Sequence, residues 1–359
     1  MNTEYIIIGQ GLCGTFLSYY LHKAGKEIIV IDESQPFSST KVASGVINPV
    51  TGRQIVTTWM IDDLLPFAWD AYNEIGKSLD VDLIAEKNVI SFPSSQQMRD
   101  FYDRRIDEKN AYLSNIEAAD ITYKSYFNFL FGAIEINPVY LINLHYMLKG
   151  WRQKLASENA LIDEAFHEEH LKVFPDHIEY KGIHAEKIIY CNGTNAYQSP
   201  YWENLPATYN KGEALIVDIP NLPQSNIYKF GSITIVPWYD GLWWVGSTYE
   251  NNYTDAGPTE LFKRKKDEEL KFLLKQPYTI IDHIASVRPA AVERRPFVGL
   301  HPVQQNVGIF DGMGTKGCSL APFLGKQFSD HLTQQQPLLP EADIKRFQKI
   351  LSGRFSKAD

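Results

Sequence analysis

The chain has 359 residues, 44% of them hydrophobic, and a formal net charge of −8; that length exceeds one comfortable hydrophobic core, so two domains or two interleaved lobes are expected. The acidic balance argues against a nucleic-acid surface, which needs a basic face, and no apolar run approaches the roughly 18 residues of a membrane span. Three dispersed cysteines, Cys13, Cys191 and Cys318, suggest neither a disulfide framework nor a zinc site.

Residues 5–8 (YIII) read as a strand buried on both faces. The strand begins almost at once, which leaves no room for a signal peptide, and a reduced cytoplasmic protein is expected. GQGLCG follows at residues 9–14. Leu12, Phe16, Tyr20 and Ala24 then recur every fourth residue, the spacing of one helix face, and Gly25 is placed to end that helix. Residues 27–32 (EIIVID) form a second buried strand closing on Asp32 and Glu33.

This is a βαβ unit with its glycines between strand and helix and a carboxylate at its far end. Gly9 permits the tight turn, Gly11 lets backbone approach a pyrophosphate, and Gly14 lets the helix pack close to the strand. The helix N-terminus offers free N–H donors and partial positive charge to phosphates. Asp32 is placed to accept from ribose hydroxyls, with Glu33 beside it, and an acid there disfavours a 2′-phosphate. A dinucleotide such as FAD or NAD is therefore expected rather than NADP.

Residues 34–58 are rich in Ser, Thr, Gly and Pro and read as a loop. Residues 59–80 and 95–118 look helical, and Asn137-Pro138 is read as the start of a helix running to about residue 156. Short strands are expected near 161–166, 171–174 and 177–181, then a buried one at 185–190 that ends in Cys191-Asn192-Gly193-Thr194. Residues 211–253 are strand-rich, with a turn at Tyr239-Asp240-Gly241. Only one of Trp243 and Trp244 can face a site there, because successive strand side chains point opposite ways. Residues 258–275 are helical, with Lys263–Asp267, Arg264–Glu268 and Lys265–Glu269 spaced as i,i+4 pairs on a solvated face. Residues 308–332 return to strand, glycine loop and helix. FHEEH at 166–170 spaces its histidines three apart, unlike a zinc-binding HExxH, and no metal site is expected. Cys13 lies at a helix N-terminus that can lower a thiol pKa, although a small buried residue is the simpler reading.

Several stretches together resemble the D-amino-acid oxidase/glycine oxidase superfamily of FAD-dependent oxidoreductases. They are the βαβ unit, ASGVINPVTGR (43–53), AEKIIYCNGTNAY (185–197), KGEALIVD (211–218), and SVRPAAVERRPFVG with NVGIFDGMGTKGCSLAPFLGKQFSDHL (286–332). They occur in the family's order and span nearly the whole chain. The resemblance implies an α/β fold in which a Rossmann-type FAD-binding domain, a parallel sheet with a β-meander, is interleaved with an antiparallel-sheet α+β substrate domain. The expected division is 1–58, 138–210 and 285–359 for FAD, and 59–137 and 211–284 for the substrate. Ser44 and Gly45 would lie near the flavin, and Gly193 in a turn closing over the dinucleotide. Gly312, Gly314, Thr315, Gly317 and Cys318 would bring backbone N–H groups and a helix N-terminus to the flavin's N1–C2=O edge, stabilising the reduced anion.

By the same resemblance Arg288, in VRP, pairs with a substrate carboxylate, a task suited to its planar fork, and Lys316 stands near flavin or substrate. The implied reaction is oxidation of the C–N bond of a small amino acid or secondary amine, with hydride passing to flavin. Two departures bear on the substrate and the electron acceptor. Trp238 follows Pro237 where relatives often carry a polar or basic residue, and the hairpin lacks the lysine that assists oxygen in sarcosine-oxidase-like relatives. Two other readings are an oxidase acting on a modified wobble uridine in tRNA, suggested by the SG…NP…TG loop, and a flavin-binding partner protein without catalysis.

Overall fold

A computed structural model describes residues 1–52 and 54–355. Arg53, at the end of the ASGVINPVTGR stretch, lies outside the described residues.

Two sheets organise the chain. The first has eight strands. Its parallel centre pairs Asn2–Ile8 with Ile28–Ile31 on one side and with Ile183–Tyr190 on the other, and Ile183–Tyr190 in turn pairs with Val307–Asp311. These strands are β-branched runs with both faces covered, as parallel sheets require. Leu171–Val173 and Ile178–Tyr180 add an antiparallel meander, and Phe297–Leu300 forms a hairpin with Val307–Asp311. Helices Leu12–Lys23, Ile61–Leu79, Leu144–Ser157 and Gly317–Gln334 cover one face around Phe16, Tyr72, Trp151 and Phe328. The expected substrate segment 59–137 is thereby split: Ile61–Leu79 packs into this first core, where Tyr72 donates to Cys318 O over 3.0 Å.

The second sheet has nine strands. Thr279–Ala291 pairs with Ala207–Asp218, and the order continues through Trp243–Gly246, Ile233–Pro237, Asn226–Phe230, Ile84–Phe92 and Ile134–Ile142. It is antiparallel except that Asn226–Phe230 runs parallel to Ile84–Phe92. Alternation divides its side chains: Phe92, Phe230 and Trp243 fill one face, while Ile136, Ile227 and Trp244 fill the other.

The sequence reading departs from the structure at several points. Residues 134–142 form one strand, with a cis Asn137–Pro138 bond inside it. The helix after it begins at Leu144, where Asn143 Oδ1 accepts from Tyr146 N at 3.3 Å and caps it. Ile134 and Ile136 alternate inward, and past a register shift Val139 and Ile142 are buried again, so the strand's pairing outweighs the proline signal. The helix expected over 95–118 ends at Asp107, and Leu113–Asn115 is a strand. Residues 34–58 hold one helical turn, Ser39–Val42, and three two-residue strands. On helix Glu260–Leu273 the ion pairs are Lys266–Glu269 at 2.5 Å and Lys271–Asp267 at 2.6 Å, and Lys266 is buried rather than solvated. Among the described residues no helix is long and apolar enough to cross a membrane.

Candidate active site

The parallel strands Asn2–Ile8, Ile28–Ile31, Ile183–Tyr190 and Val307–Asp311 end beside one another, at Gly9, Asp32, Cys191 and Gly312. Ligands of open α/β sheets bind at these carboxyl ends. A cavity of about 1100 Å³ lies there, lined by Gly9, Gly11, Asp32, Glu33, Ser44, Gly193, Arg288, Gly314, Thr315, Gly317 and Cys318.

At one end stands the glycine turn. Gly9 has φ +92°, and a Cβ on it would meet Cys191 O at 2.8 Å. A Cβ on Gly14 would stand 1.8 Å from Gly9 O, so this glycine seats the helix on its own turn without lining the cavity. Gly11 differs. Its Cβ would meet only Thr40 Oγ1, at 3.2 Å, because the residue faces open space. Thr40 was not foreseen from the sequence. Its hydroxyl accepts from Leu12 N at 3.1 Å, at the start of the helix.

Asp32 is held by its surroundings. Its carboxylate accepts from Gln10 N at 2.9 Å, Ser34 N at 2.8 Å and Arg152 Nη1 at 2.7 Å. Arg152 Nη2 also reaches Asp32 O at 2.9 Å and Asp163 at 2.6 Å. A carboxylate offers about four acceptor positions, so capacity remains for a hydroxyl. Glu33 accepts from Gln35 Nε2 at 2.7 Å. Arg152 sits on a helix far along the chain, and nothing in its local sequence announces this contact.

Between the two ends, the glycine turns at 193 and 312 meet on one buried acid. Asp311 accepts from Gly193 N at 2.7 Å and from Gly312 N at 2.6 Å. Burial raises its pKa to about 6, against the lowering effect of both N–H groups. Gly193 and Gly312 have φ of +64° and +79°, and a Cβ on Gly312 would stand 2.8 Å from the Phe297 ring. Asn192 Oδ1, in the cavity wall, is buried with no hydrogen-bond partner among the described residues. Such an orphan is rare in a closed core and ordinary beside a polar ligand.

At the far end, Gly314–Lys316 makes a 3₁₀ turn into the helix Gly317–Gln334. Burial pushes the Cys318 thiol up to about 12, and it pushes the Cys13 thiol up as well, against the lowering that a helix N-terminus allows. Ser44 lines the cavity, whereas Gly45, with φ +79°, brings backbone against Ile142 O, 2.3 Å from where its Cβ would stand. Trp244 is the hairpin tryptophan that lines the cavity, its Nε1 donating to Val42 O at 3.0 Å, and Trp243 turns into the opposite core.

Arg288 closes this end. Its guanidinium donates to Asn210 Oδ1 at 2.9 Å, Ser247 Oγ at 3.3 Å and Thr248 O at 3.4 Å. All three acceptors are neutral, and no carboxylate pairs with it among the described residues. Gly312 and Lys316 line a second cavity, which shares Met313, Gly314 and Thr315 with the first. Lys316 Nζ reaches Thr58 Oγ1 at 3.4 Å, and burial, then Lys229, lowers its pKa to about 8. Away from both cavities, His177, Glu179 and His184 place ligand atoms within 4.8 Å of one another, a grouping of metal-ligating residue types not foreseen from the sequence.

The family model for FAD dependent oxidoreductases matches residues 4–331. The chain belongs to this family. It is an FAD-dependent oxidoreductase, and the residues present fit that cofactor: a turn open at Gly11, a carboxylate with spare acceptor capacity at Asp32, and in the cavity wall a buried Asn192 Oδ1 without a partner among the described residues. The chain is similar to glycine oxidase of Pseudomonas putida, 32% identical over 111 residues, which span 30% of each protein. The matched segments thus cover less than a third of the curated relatives' length. By fold it is similar to glycine oxidase from Bacillus cereus, with a TM-score of 0.78, 14% identity, and 93% and 96% of the two chains covered. It is likewise similar to iminodiacetate oxidase from Chelativorans sp. BNC1, with a TM-score of 0.75, 19% identity, and coverage of 97% and 98%.

Proposed function

We propose that this oxidoreductase oxidises the C–N bond of a small amino acid or secondary amine, with Arg288 holding the substrate carboxylate. The observation that carries the reading is the Arg288 guanidinium, in the cavity wall with only neutral acceptors around it. A cation so placed is matched by an incoming carboxylate, which its fork receives bidentately. The names of the similar proteins, glycine oxidase and iminodiacetate oxidase, support the same substrate class.

The FAD that the family binds supplies the hydride acceptor. Gly9, Gly11 and the N-terminus of Leu12–Lys23 would take the pyrophosphate, and Asp32 the ribose. Gly193 and Asp311 would border the chain between ribose and flavin, with Gly312 holding Asp311 from behind, and Gly314, Thr315, Gly317 and Cys318 would border the flavin end. Arg288 orients the amine through its carboxylate, and Trp244 excludes water from the same end. Lys316, in the wall of the adjoining cavity, would be a second cation for an anionic substrate or the flavin edge. This protein's own task is thus orientation and charge, and no side-chain nucleophile is required.

Two further expectations belong to this reading. The division into FAD segments 1–58, 138–210 and 285–359 and substrate segments 59–137 and 211–284 follows the two sheets in outline, but Ile61–Leu79 packs on the FAD side, and the boundaries at 138 and 285 fall inside the second-sheet strands Ile134–Ile142 and Thr279–Ala291. A reducing, cytoplasmic setting is supported by three buried cysteines that are all free. Single-turnover kinetics test the role of Arg288. In Arg288→Ala, flavin reduction by a carboxylated amine should need at least tenfold more substrate, with flavin content unchanged. An unchanged substrate dependence would remove Arg288 from the site.

A further inference from the structure

A small amino acid leaves the second cavity unused. Its volume is about 1650 Å³, beyond the roughly 300–1000 Å³ that suits an ordinary small ligand. Met313, Gly314 and Thr315 line both cavities, so the two adjoin at this turn. A substrate whose amine reaches the flavin end therefore lies next to this space.

The wall has a defined chemistry. Arg294, Arg295 and Lys316 line it, and none has a carboxylate partner among the described residues. The Arg295 guanidinium is stacked 4.1 Å from the Trp59 ring centre. Its Nη1 donates to Arg294 O at 3.2 Å, and its other N–H donors have no partner among the described residues. The stack fixes the plane of the fork and leaves donors for an anion. Lys316 is half-buried, and its hydrogen bond is the long one to Thr58. Lys211 also lines the cavity, but Glu213 neutralises it at 3.4 Å. Two acids, Glu250 and Asp255, complete the lining, and the Asp255 carboxylate is already engaged by Gly257 N at 2.7 Å. Tyr209 and Tyr249 present exposed rings, 38% and 62% accessible, to which a flat group can stack.

We propose that this cavity receives the far end of an extended substrate: an amino acid or N-substituted amine carrying a bulky, flat body and a second anionic group, taken by Arg295 with Lys316. The distal anion is a carboxylate or a phosphate, since the same guanidinium fork receives either. The inference rests on the amine-oxidation reading for its near end only, so the two can fail separately.

The test uses the flavin-loaded protein under anaerobic conditions with N-benzylglycine, N-(4-carboxybenzyl)glycine and N-(4-phosphonobenzyl)glycine. At least one anionic compound should half-saturate flavin reduction at a concentration tenfold or more below that of N-benzylglycine. The preferred one identifies the distal group as carboxylate-like or phosphate-like. In Arg295→Gln the advantage should collapse, and in Arg295→Lys most of it should return. Equal half-saturation for all three compounds, or an advantage that survives Arg295→Gln, overturns the proposal. Calorimetric titration of benzoate and phenyl phosphate into the same protein separates this reading from the reaction itself. Binding that Arg295→Gln weakens tenfold upholds the anion site even if no amine reduces the flavin. No binding of either anion overturns it even if sarcosine does.

Discussion

The Arg288 guanidinium lies across Gly212. A methyl group on Gly212 would stand 1.9 Å from Nη2 and 2.3 Å from Cζ, far inside any real contact. In the strand pairing Asn210 faces Arg288 and Gly212 faces Ser286, so the guanidinium folds diagonally back over the one position without a side chain. Asn210 then fixes it from the neighbouring strand.

Gly212→Ala should therefore act as a remote deletion of Arg288. Expelling the guanidinium costs the charge-assisted pair with a substrate carboxylate, about 2 kcal/mol, or roughly thirtyfold in kcat/KM. Flavin content should stay near wild type. The double variant Gly212→Ala/Arg288→Ala should lose little more than either single one, because both remove the same interaction. Steady-state kinetics on the four proteins check this, and additive losses would show that Gly212 acts elsewhere.

The glycines of the opening turn should fail in different ways. Gly11→Val fills space that faces the cavity, with only the Thr40 hydroxyl nearby. The protein should fold and purify with little flavin. Gly14→Ala forces the helix off Gly9 O and should cost stability itself, lowering Tm by several degrees even without flavin. A Gly11→Val protein that purifies fully loaded would contradict the assignment of this turn.

Asp32 and Arg152 should contribute unequally to cofactor retention. Asp32→Ala removes the acceptor for ribose and should weaken FAD at least tenfold, on the scale of a hydrogen bond to a charged group. Arg152→Met leaves Asp32 held by the N–H groups of Gln10 and Ser34, so retention should fall less. Fluorescence titration of FAD into the flavin-free proteins gives both constants. Equal retention in Asp32→Ala would assign the ribose to Glu33 or another group.

Lys316 should give a pH signature. Its pKa is lowered to about 8, first by burial, so the ammonium is present below pH 8 and lost above it. Affinity for an anionic substrate or inhibitor should fall as pH rises through 8, and Lys316→Met should remove that limb. Stability carries the opposite sign. The depressed folded pKa means that the fold disfavours the charged lysine, a cost fully felt below pH 8 and relieved as pH rises toward the ordinary lysine value. Phenyl phosphate affinity between pH 6.5 and 9.5 measures the first effect.

What the sequence made legible was local. The βαβ unit could be read because its strand, glycines, helix and acid lie within 34 consecutive residues and each has a physical task. The late glycine turn was legible for the same reason. Arg152, Asp311 and Thr40 were not read, since their roles come from partners 120, 118 and 28 residues away. The strand Ile84–Phe92 was missed because its first half, Ala85–Asn88, is mostly polar and does not alternate, and the true helix start at Leu144 was missed because Asn137-Pro138 reads as a helix start. Alternation limited the hairpin to one inward tryptophan but could not say which. The packing of the second sheet decided for Trp244.

The most direct test of the account is the visible spectrum of the purified protein during anaerobic addition of glycine, sarcosine, proline, and D- and L-amino acids. The account predicts a yellow protein whose flavin band bleaches with one class of carboxylated amine, and far less readily in Arg288→Ala. A flavin band that no amine bleaches would contradict amine oxidation at Arg288.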